Sequence, residues 1–237
     1  MEKIWGDKKA ITLFLFPSFI ILLFIIIIPI GMSVYYSLLD WNGFGKGTFV
    51  GWNNYINLFK DPAFVISIKN SLVFAFTSVV IQLPISLLLA LIISKGVRYE
   101  RFFVTVYFIP VIISTVVIGQ LWMKIYHPEY GLLNMFLSAV GLGNLKREWL
   151  GSTDTALLSS VVPVLWQYIG YHMLLMYAGI KSISEDVFEA AKIDGASWLQ
   201  TSLFVTIPML KPILKVCITF AVIGSLKVFD LVHVLTR

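Results

Sequence analysis

The feature that most limits what this sequence can fold into is the length of its apolar runs. Five blocks stand out, at about Ile11 to Leu39, Ser71 to Ser94, Phe102 to Tyr126, Ala156 to Ile180 and Pro212 to Leu235. Each is long enough to cross a bilayer as a helix, which takes roughly 20 residues. Charged residues make up only 13% of the chain, about half the share in a soluble domain, so lipid is its main solvent. No internal repeat, linker or soluble segment interrupts the pattern. The sequence therefore predicts an all-α membrane protein, a single membrane domain over residues 1–237.

The first block is too long for a cleaved leader, and no small-residue cleavage site follows it. Tyr35, Tyr36 and Trp41 stand at its far end as interfacial anchors do. Orientation follows from the basic residues. Lys3, Lys8 and Lys9 precede the first block. Lys95, Arg98 and Arg101 crowd the short second connection, and Lys181, Lys192, Lys211 and Lys215 flank or occupy the fourth. Lys46, Lys60, Lys69, Lys124, Lys146, Arg147 and Arg237 are spread over longer loops on the other side. Short loops dominate the positive-inside bias. The amino terminus and the segment around Glu189 are expected in the cytoplasm, the segments around Trp52 and Trp149 outside. The net charge of +5 then reflects cytoplasmic loops facing anionic lipid, not nucleic acid. Cys217 is the lone cysteine, which excludes an internal disulfide and a Cys-based metal site.

Between the last two blocks lies a polar island, Glu189-Ala190-Ala191-Lys192-Ile193-Asp194-Gly195. Ser182 followed by Glu185 fits a capping box, and Ser184 is a second possible cap. Glu185 and Asp186 would sit favourably at the positive end of the helix dipole. Val187, Phe188 and Ala191 would share one face, with Glu189 and Lys192 on another. Gly195 can end that helix and start a second, bounded by Pro208 and Pro212. The expected product is a helix–turn–helix under the membrane, with a small-residue patch at Ala190 and Ala191 that lets a partner approach closely. A well-capped interfacial loop without a partner is the other reading of the same residues.

Glu189-Ala190-Ala191, three residues, Gly195, nine residues, then Val205-Thr206-Ile207-Pro208 resembles the EAA signature of ABC-importer permeases, E-A-A, three residues, G, nine residues, I-x-L-P. Val205 and Ile207 are apolar-for-apolar departures. Phe49 to Tyr55, Pro128 to Asn134, Trp149-Leu150-Gly151, Ile193 to Ala196 and Val228 to Leu231 also resemble the sugar-type members, a group that includes maltose, other oligosaccharide and glycerol-phosphate permeases. The resemblance implies the transmembrane domain of a type I ABC importer with a cytoplasmic EAA coupling helix. Members continue beyond the point of Thr236 with a Gly-Gly-Pro turn and a sixth core span. Five of an expected six spans are thus present, and the chain alone is not expected to make a complete half-transporter.

The resemblance further implies a second permease subunit, often a different chain, two cytoplasmic ATPases, and an extracytoplasmic solute-binding protein. The setting is the cell (inner) membrane. Glu189, Ala190, Ala191, Asp194 and Gly195 are the implied ATPase-coupling residues. The chain itself is expected to be a transporter subunit, not an enzyme, with no cofactor of its own, and it carries no G-x-x-x-x-G-K-[ST] phosphate loop.

For the substrate pathway the candidates are Gln167, Tyr168, Tyr171, Lys227 and Asp230, and the resemblance implies sugar contacts in this region and near Thr115 and Ser225. Lys227 and Asp230 are the two charges well inside a block, and ionisable residues at membrane depth are functional-site candidates. Three residues apart, they can meet on one helix face. Helix packing is the competing role for each polar residue, and an interfacial structural pair is the competing role for Lys227 and Asp230. An intramembrane enzyme would need a nucleophile and base. His127, His172 and His233 come with no such motif, and His172 is expected to bond a neighbouring helix. A permease for glycerol phosphate is the closer alternative to a sugar permease. The outward segments speak against a polyamine or phosphate permease, and the intact EAA segment against a purely structural subunit.

Overall fold

The computed structural model describes residues 8–236. Lys3 and Arg237, used above for orientation, lie outside the described residues. The chain divides into two compact units, Met1–Ser67 and Ile68–Arg237.

In the first unit, α1 (Lys8–Leu22), a π-helical turn (Leu23–Ile27) and α2 (Ile28–Ser37) form one apolar helical run that is exposed along its length. A short antiparallel pair follows, β1 (Leu39–Asp40) with β2 (Thr48–Phe49), Leu39 opposite Phe49. The helix α3 (Asn53–Lys60) is tied back to the end of α2. Asn54 Nδ2 donates to the carbonyls of Ser37 and Leu39 at 3.0 and 2.8 Å, and Ser37 Oγ meets Tyr55 Oη at 2.7 Å.

α4 (Pro62–Thr77), a second π-helical turn (Ser78–Gln82) and α5 (Leu83–Ser94) make another long helical run. Then come α6 (Glu100–Ile112), α7 (Thr115–Ile125), α8 (Leu132–Ala139) and α9 (Thr153–Lys181). The chain continues with α10 (Glu185–Ile193), α11 (Trp198–Thr201), a π-helical turn (Ser202–Thr206), α12 (Ile207–Met209), α13 (Lys211–Leu226) and α14 (Asp230–Leu235). All three π-helical turns share one cause. Each ends two residues before a proline, Pro29, Pro84 or Pro208. A proline ring collides with the carbonyl one turn earlier. Widening that turn admits the ring without breaking the helix.

Among the described residues, two helical runs, Ile11–Ser37 and Pro62–Ser94, are long and apolar enough to cross a membrane, or up to four with each bent pair taken as one span. Two expectations need correction. The third block is not one straight span: α6 and α7 meet at 97°. Ile113 and Ser114 between them are extended, with ψ of 140° and 137°, and Pro110 removes a hydrogen bond from the end of α6. The fifth block does not run to Leu235 as one helix, because α13 stops at Leu226 and α14 starts afresh at Asp230, whose carboxylate favours a helix start. The fourth block, α9, has length to spare at roughly 43 Å. It falls outside the apolar set, burying Ser159, Ser160, Gln167 and His172.

α9 is the axis of the second unit. At Gly170 an added Cβ would collide with the Tyr107 carbonyl of α6. One residue away, Ser86 Oγ of α5 donates to the Ile169 carbonyl at 2.9 Å. Two apolar clusters lie along this axis. One joins Leu83, Ala90, Met173, Met176, Leu210 and Cys217; the other joins Phe74, Ile118, Val161, Val164, Leu231 and Leu235. The close approach at Gly170 makes a direct prediction. Gly170→Ala should cost about 1–3 kcal/mol by overpacking, read as a lower Tm of the detergent-purified protein. Gly31→Ala, whose added methyl meets nothing within 4 Å, should leave Tm unchanged or higher. Equal Tm values for Gly170→Ala and the parent protein would rule out the tight backbone contact.

Candidate functional site

A cavity of about 380 Å³ opens in the second unit, and its place follows from the two clusters. On α9 the clusters take Val161 to Leu165 and Met173 to Ile180, leaving Gln167 to His172 between them. On the α4–α5 run they take Phe74 and Leu83, leaving Ser78 and Gln82. On α13 and α14 they take Cys217, Ala221, Leu231 and Leu235, leaving the residues around Ser225 to Asp230. The polar stretches of three helical segments thus fall at one level, between two dry layers. Thr115, Gln167, Tyr168, Tyr171, Ser225, Lys227 and Asp230 all line this cavity.

The wall is partly tied and partly free. Ser225 Oγ and Ser78 Oγ are hydrogen-bonded at 3.0 Å in a buried contact joining α13 to the π-helical turn. Gln167 and His172 are 2% and 3% exposed, yet Gln167 Oε1 and His172 Nδ1 have no hydrogen-bond partner. The expected bond from His172 to a neighbouring helix is therefore absent among the described residues; its ring instead lies edge-on to Tyr171, centroids 5.2 Å apart. An unpaired polar atom buried among apolar groups costs about 1–3 kcal/mol, and both atoms are closed off from the cavity as well as from other polar groups.

Lys227 and Asp230 are exposed at the cavity and make no ion pair with each other among the described residues. The shared helix face expected from their spacing does not exist, because α13 ends between them. Lys227 caps α13, and Asp230 begins α14.

The polar island is a second site, built by local hydrogen bonding. α10 ends in a Schellman motif: Ala196 N–H donates to the Ala191 carbonyl at 3.0 Å and Gly195 N–H to that of Lys192 at 3.1 Å. This closure needs a left-handed residue after the helix, and Gly195 supplies it with φ of +74°. The next helix starts at once with a capping box. Ser197 N–H donates to Gln200 Oε1 at 2.8 Å, and Gln200 N–H to Ser197 Oγ at 3.4 Å. The capping box expected at Ser182 and Glu185 is absent. α9 runs on to Lys181, so Ser182 becomes its C-cap and bonds the Gly179 carbonyl at 2.7 Å. Ser184 holds the N-cap position of α10, its hydroxyl donating to Asp186 Oδ2 at 3.1 Å.

Val187, Phe188 and Ala191 turn inward, and Phe188 packs on the first apolar cluster. Ala191 is buried within its own chain, so it seats α10 and is not available to a partner. Glu189, Ala190, Lys192, Asp194 and Gly195 are exposed, alongside Ile193 at 85%. Ser78 and Gln82 are polar lining residues that the sequence did not single out, and His172, singled out there for helix packing, lines the cavity as well. Ser78 and Gln82 carry a signal, two polar residues one helical turn apart just before a proline inside an apolar run.

Residues 82–237 match the family described as binding-protein-dependent transport system inner membrane component. The chain belongs to that family. It is 39% identical to the probable ABC transporter permease protein YurN of Bacillus subtilis, over 97% of this chain and 80% of that protein. It is 32% identical to the trehalose/maltose transport system permease protein MalF of Thermococcus litoralis, over 98% and 78%. A bacterial ABC transporter involved in alginate import shares the fold, with a TM-score of 0.76 at 24% identity over 95% of this chain and 77% of that one. The alginate transporter is also known in complex with an alginate pentasaccharide-bound periplasmic protein, and that chain matches with a TM-score of 0.75 at 25% identity over 92% and 74%.

Proposed function

We propose that this chain is a pathway-forming permease subunit of an ATP-driven importer for an oligosaccharide. In that assembly it pairs with a second permease chain, receives solute from an extracytoplasmic binding protein, and rests on two cytoplasmic ATPases. It sits in the inner membrane with its amino terminus in the cytoplasm. ATP closing the ATPase pair would move α10 and switch the spans between inward- and outward-facing states. The chain does no ATP chemistry itself and needs no cofactor. The observation that carries the reading is the cavity between two apolar layers, lined by the accessible side chains of Thr115, Tyr168, Tyr171 and Lys227. A polyhydroxylated solute offers hydroxyls to such polar groups and apolar ring faces to Tyr168 and Tyr171. Relatives described by substrate include permeases for diacetylchitobiose and for arabinooligosaccharides.

A second reading has its own support. Lys227 is not neutralised by Asp230, and an unpaired ammonium at the cavity favours a phosphorylated solute such as glycerol phosphate. Uptake by the complete transporter in proteoliposomes separates the two. Saturable uptake of an oligosaccharide is expected; saturable uptake of glycerol phosphate alone would make Lys227 an anion contact and overturn the sugar reading.

Coupling is tested at the Schellman turn. Gly195→Pro forces φ to about −65° where the chain holds +74° and removes the N–H bonded to Lys192. Glu189→Lys reverses an exposed charge on α10. Both should lower transport and ATPase co-purification without preventing membrane insertion. Normal transport by either variant would remove α10 from the coupling route. Orientation is checked by reporters: one fused after Gly195 should read as cytoplasmic, one after Gly143 as external, and the reverse pattern would sink the docking role.

A further inference from the structure

The connection between α5 and α6 touches the chain on both sides of α10. At its start, Lys95 Nζ lies 5.4 Å from the centre of the Trp198 ring, at the first residue of α11. At its end, Glu100 Oε1 accepts a hydrogen bond from Tyr177 Oη at 2.6 Å and pairs with Lys181 Nζ at 2.7 Å. Lys181 is the last residue of α9, four positions before α10 begins, and its ammonium also stands 5.5 Å over the Tyr177 ring. Between these anchors Val97 packs on the same apolar cluster as Phe188 of α10. Tyr99 holds φ of +68°. A non-glycine residue keeps such a conformation only where its surroundings fix it. Here Glu100 N–H donates to the Val97 carbonyl at 3.1 Å, and Arg98 lies 5.1 Å from the Tyr99 ring centre.

We propose that the Lys95–Glu100 connection is a brace for α10, with Lys95 and Glu100 as positioning residues that fix its two flanks to the α5–α6 pair. The inference rests on the coupling role proposed for α10. Each contact alone is weak. The Lys181 side chain is 44% exposed, and ion pairs of that kind contribute under about 1 kcal/mol. Their effect is geometric. With Lys181 and Trp198 held to one short connection, α10 cannot tilt without carrying α5 and α6 with it. Those two helices meet α9 at the level of the cavity, through Ser86 and the Tyr107 carbonyl. The brace is thus a second mechanical link from the docking surface to the cavity wall, running through α5 and α6 alongside α9.

The test uses the complete transporter with Ile193→Cys in a Cys217→Ser background, carrying a spin label on the exposed side of α10. Glu100→Gln and Lys95→Ala should each raise label mobility. They should also lower solute transported per ATP by about threefold to tenfold, the size expected for residues along a coupling route. The double charge swap Glu100→Lys with Lys181→Glu should restore both readouts, which a loss of packing alone would not allow. Unchanged mobility in both single variants overturns the brace, whatever transport does. A swap as mobile as Glu100→Gln overturns the ion-pair anchor. Raised mobility with an unchanged transport-to-ATP ratio supports the brace and instead overturns the coupling role of α10.

Discussion

The contact between Gly170 and the Tyr107 carbonyl sets the spacing on which the second unit depends. In lipid the hydrophobic effect does not press helices together, since a lipid tail is as apolar as a leucine. Association must come from close packing and from hydrogen bonds between helices. A glycine at the crossing lets α6 approach the α9 backbone. At the same level the Ser86 hydroxyl of α5 reaches the Ile169 carbonyl. Gly179 against Ile213 and Leu210, and Gly119 against Val234, repeat the device at other crossings. The large side chains then fill what these small residues define, as Met173 and Met176 do, fully buried beside the α9 axis.

Much of the fold was legible because the length of an apolar run is a property of composition, insensitive to tertiary detail. The breaks were not. Ile113 and Ser114 sit inside an apolar run, where Pro110 and the Ser114-Thr115 pair are the local hints of a break. The gap from Lys227 to Phe229 has no proline or glycine in it. The turn at Gly195 was readable because the left-handed requirement is local to one residue. The caps beside it were readable only in part. Ser182 and Ser184 are equally good candidates in sequence, and the length of α9 decides between them. Ser197 with Gln200 has the same spacing as Ser182 with Glu185, and it alone closes.

The cavity residues show the same division. Gln167, Tyr168 and Tyr171 could be placed together from one helix. Their meeting with Thr115 and Ser225 depends on which helices cross where, and came from family resemblance. Ser78 and Gln82 looked like ordinary polar residues in a span until the π-helical turn brought them to the wall. Ala191 shows the opposite error. It belongs to a recognised motif, but the periodicity of α10 places it beside Val187 and Phe188 on the inward face, so only part of that motif is left for a partner.

The two unforeseen breaks have a common consequence for the proposed pathway. A broken helix frees backbone N–H and C=O groups, and at membrane depth such groups are tolerated only inside protein or beside a wet cavity. Thr115, just after the first break, and Lys227, Val228, Phe229 and Asp230, across the second, all line the cavity. The interruptions that make α7 and α14 short therefore also make the wall polar. They remove the helix face on which Lys227 and Asp230 would have paired, leaving both charges exposed at the rim. The polar wall of the cavity thus has two sources, the uninterrupted middle of α9 and the places where α6 and α13 fail to continue.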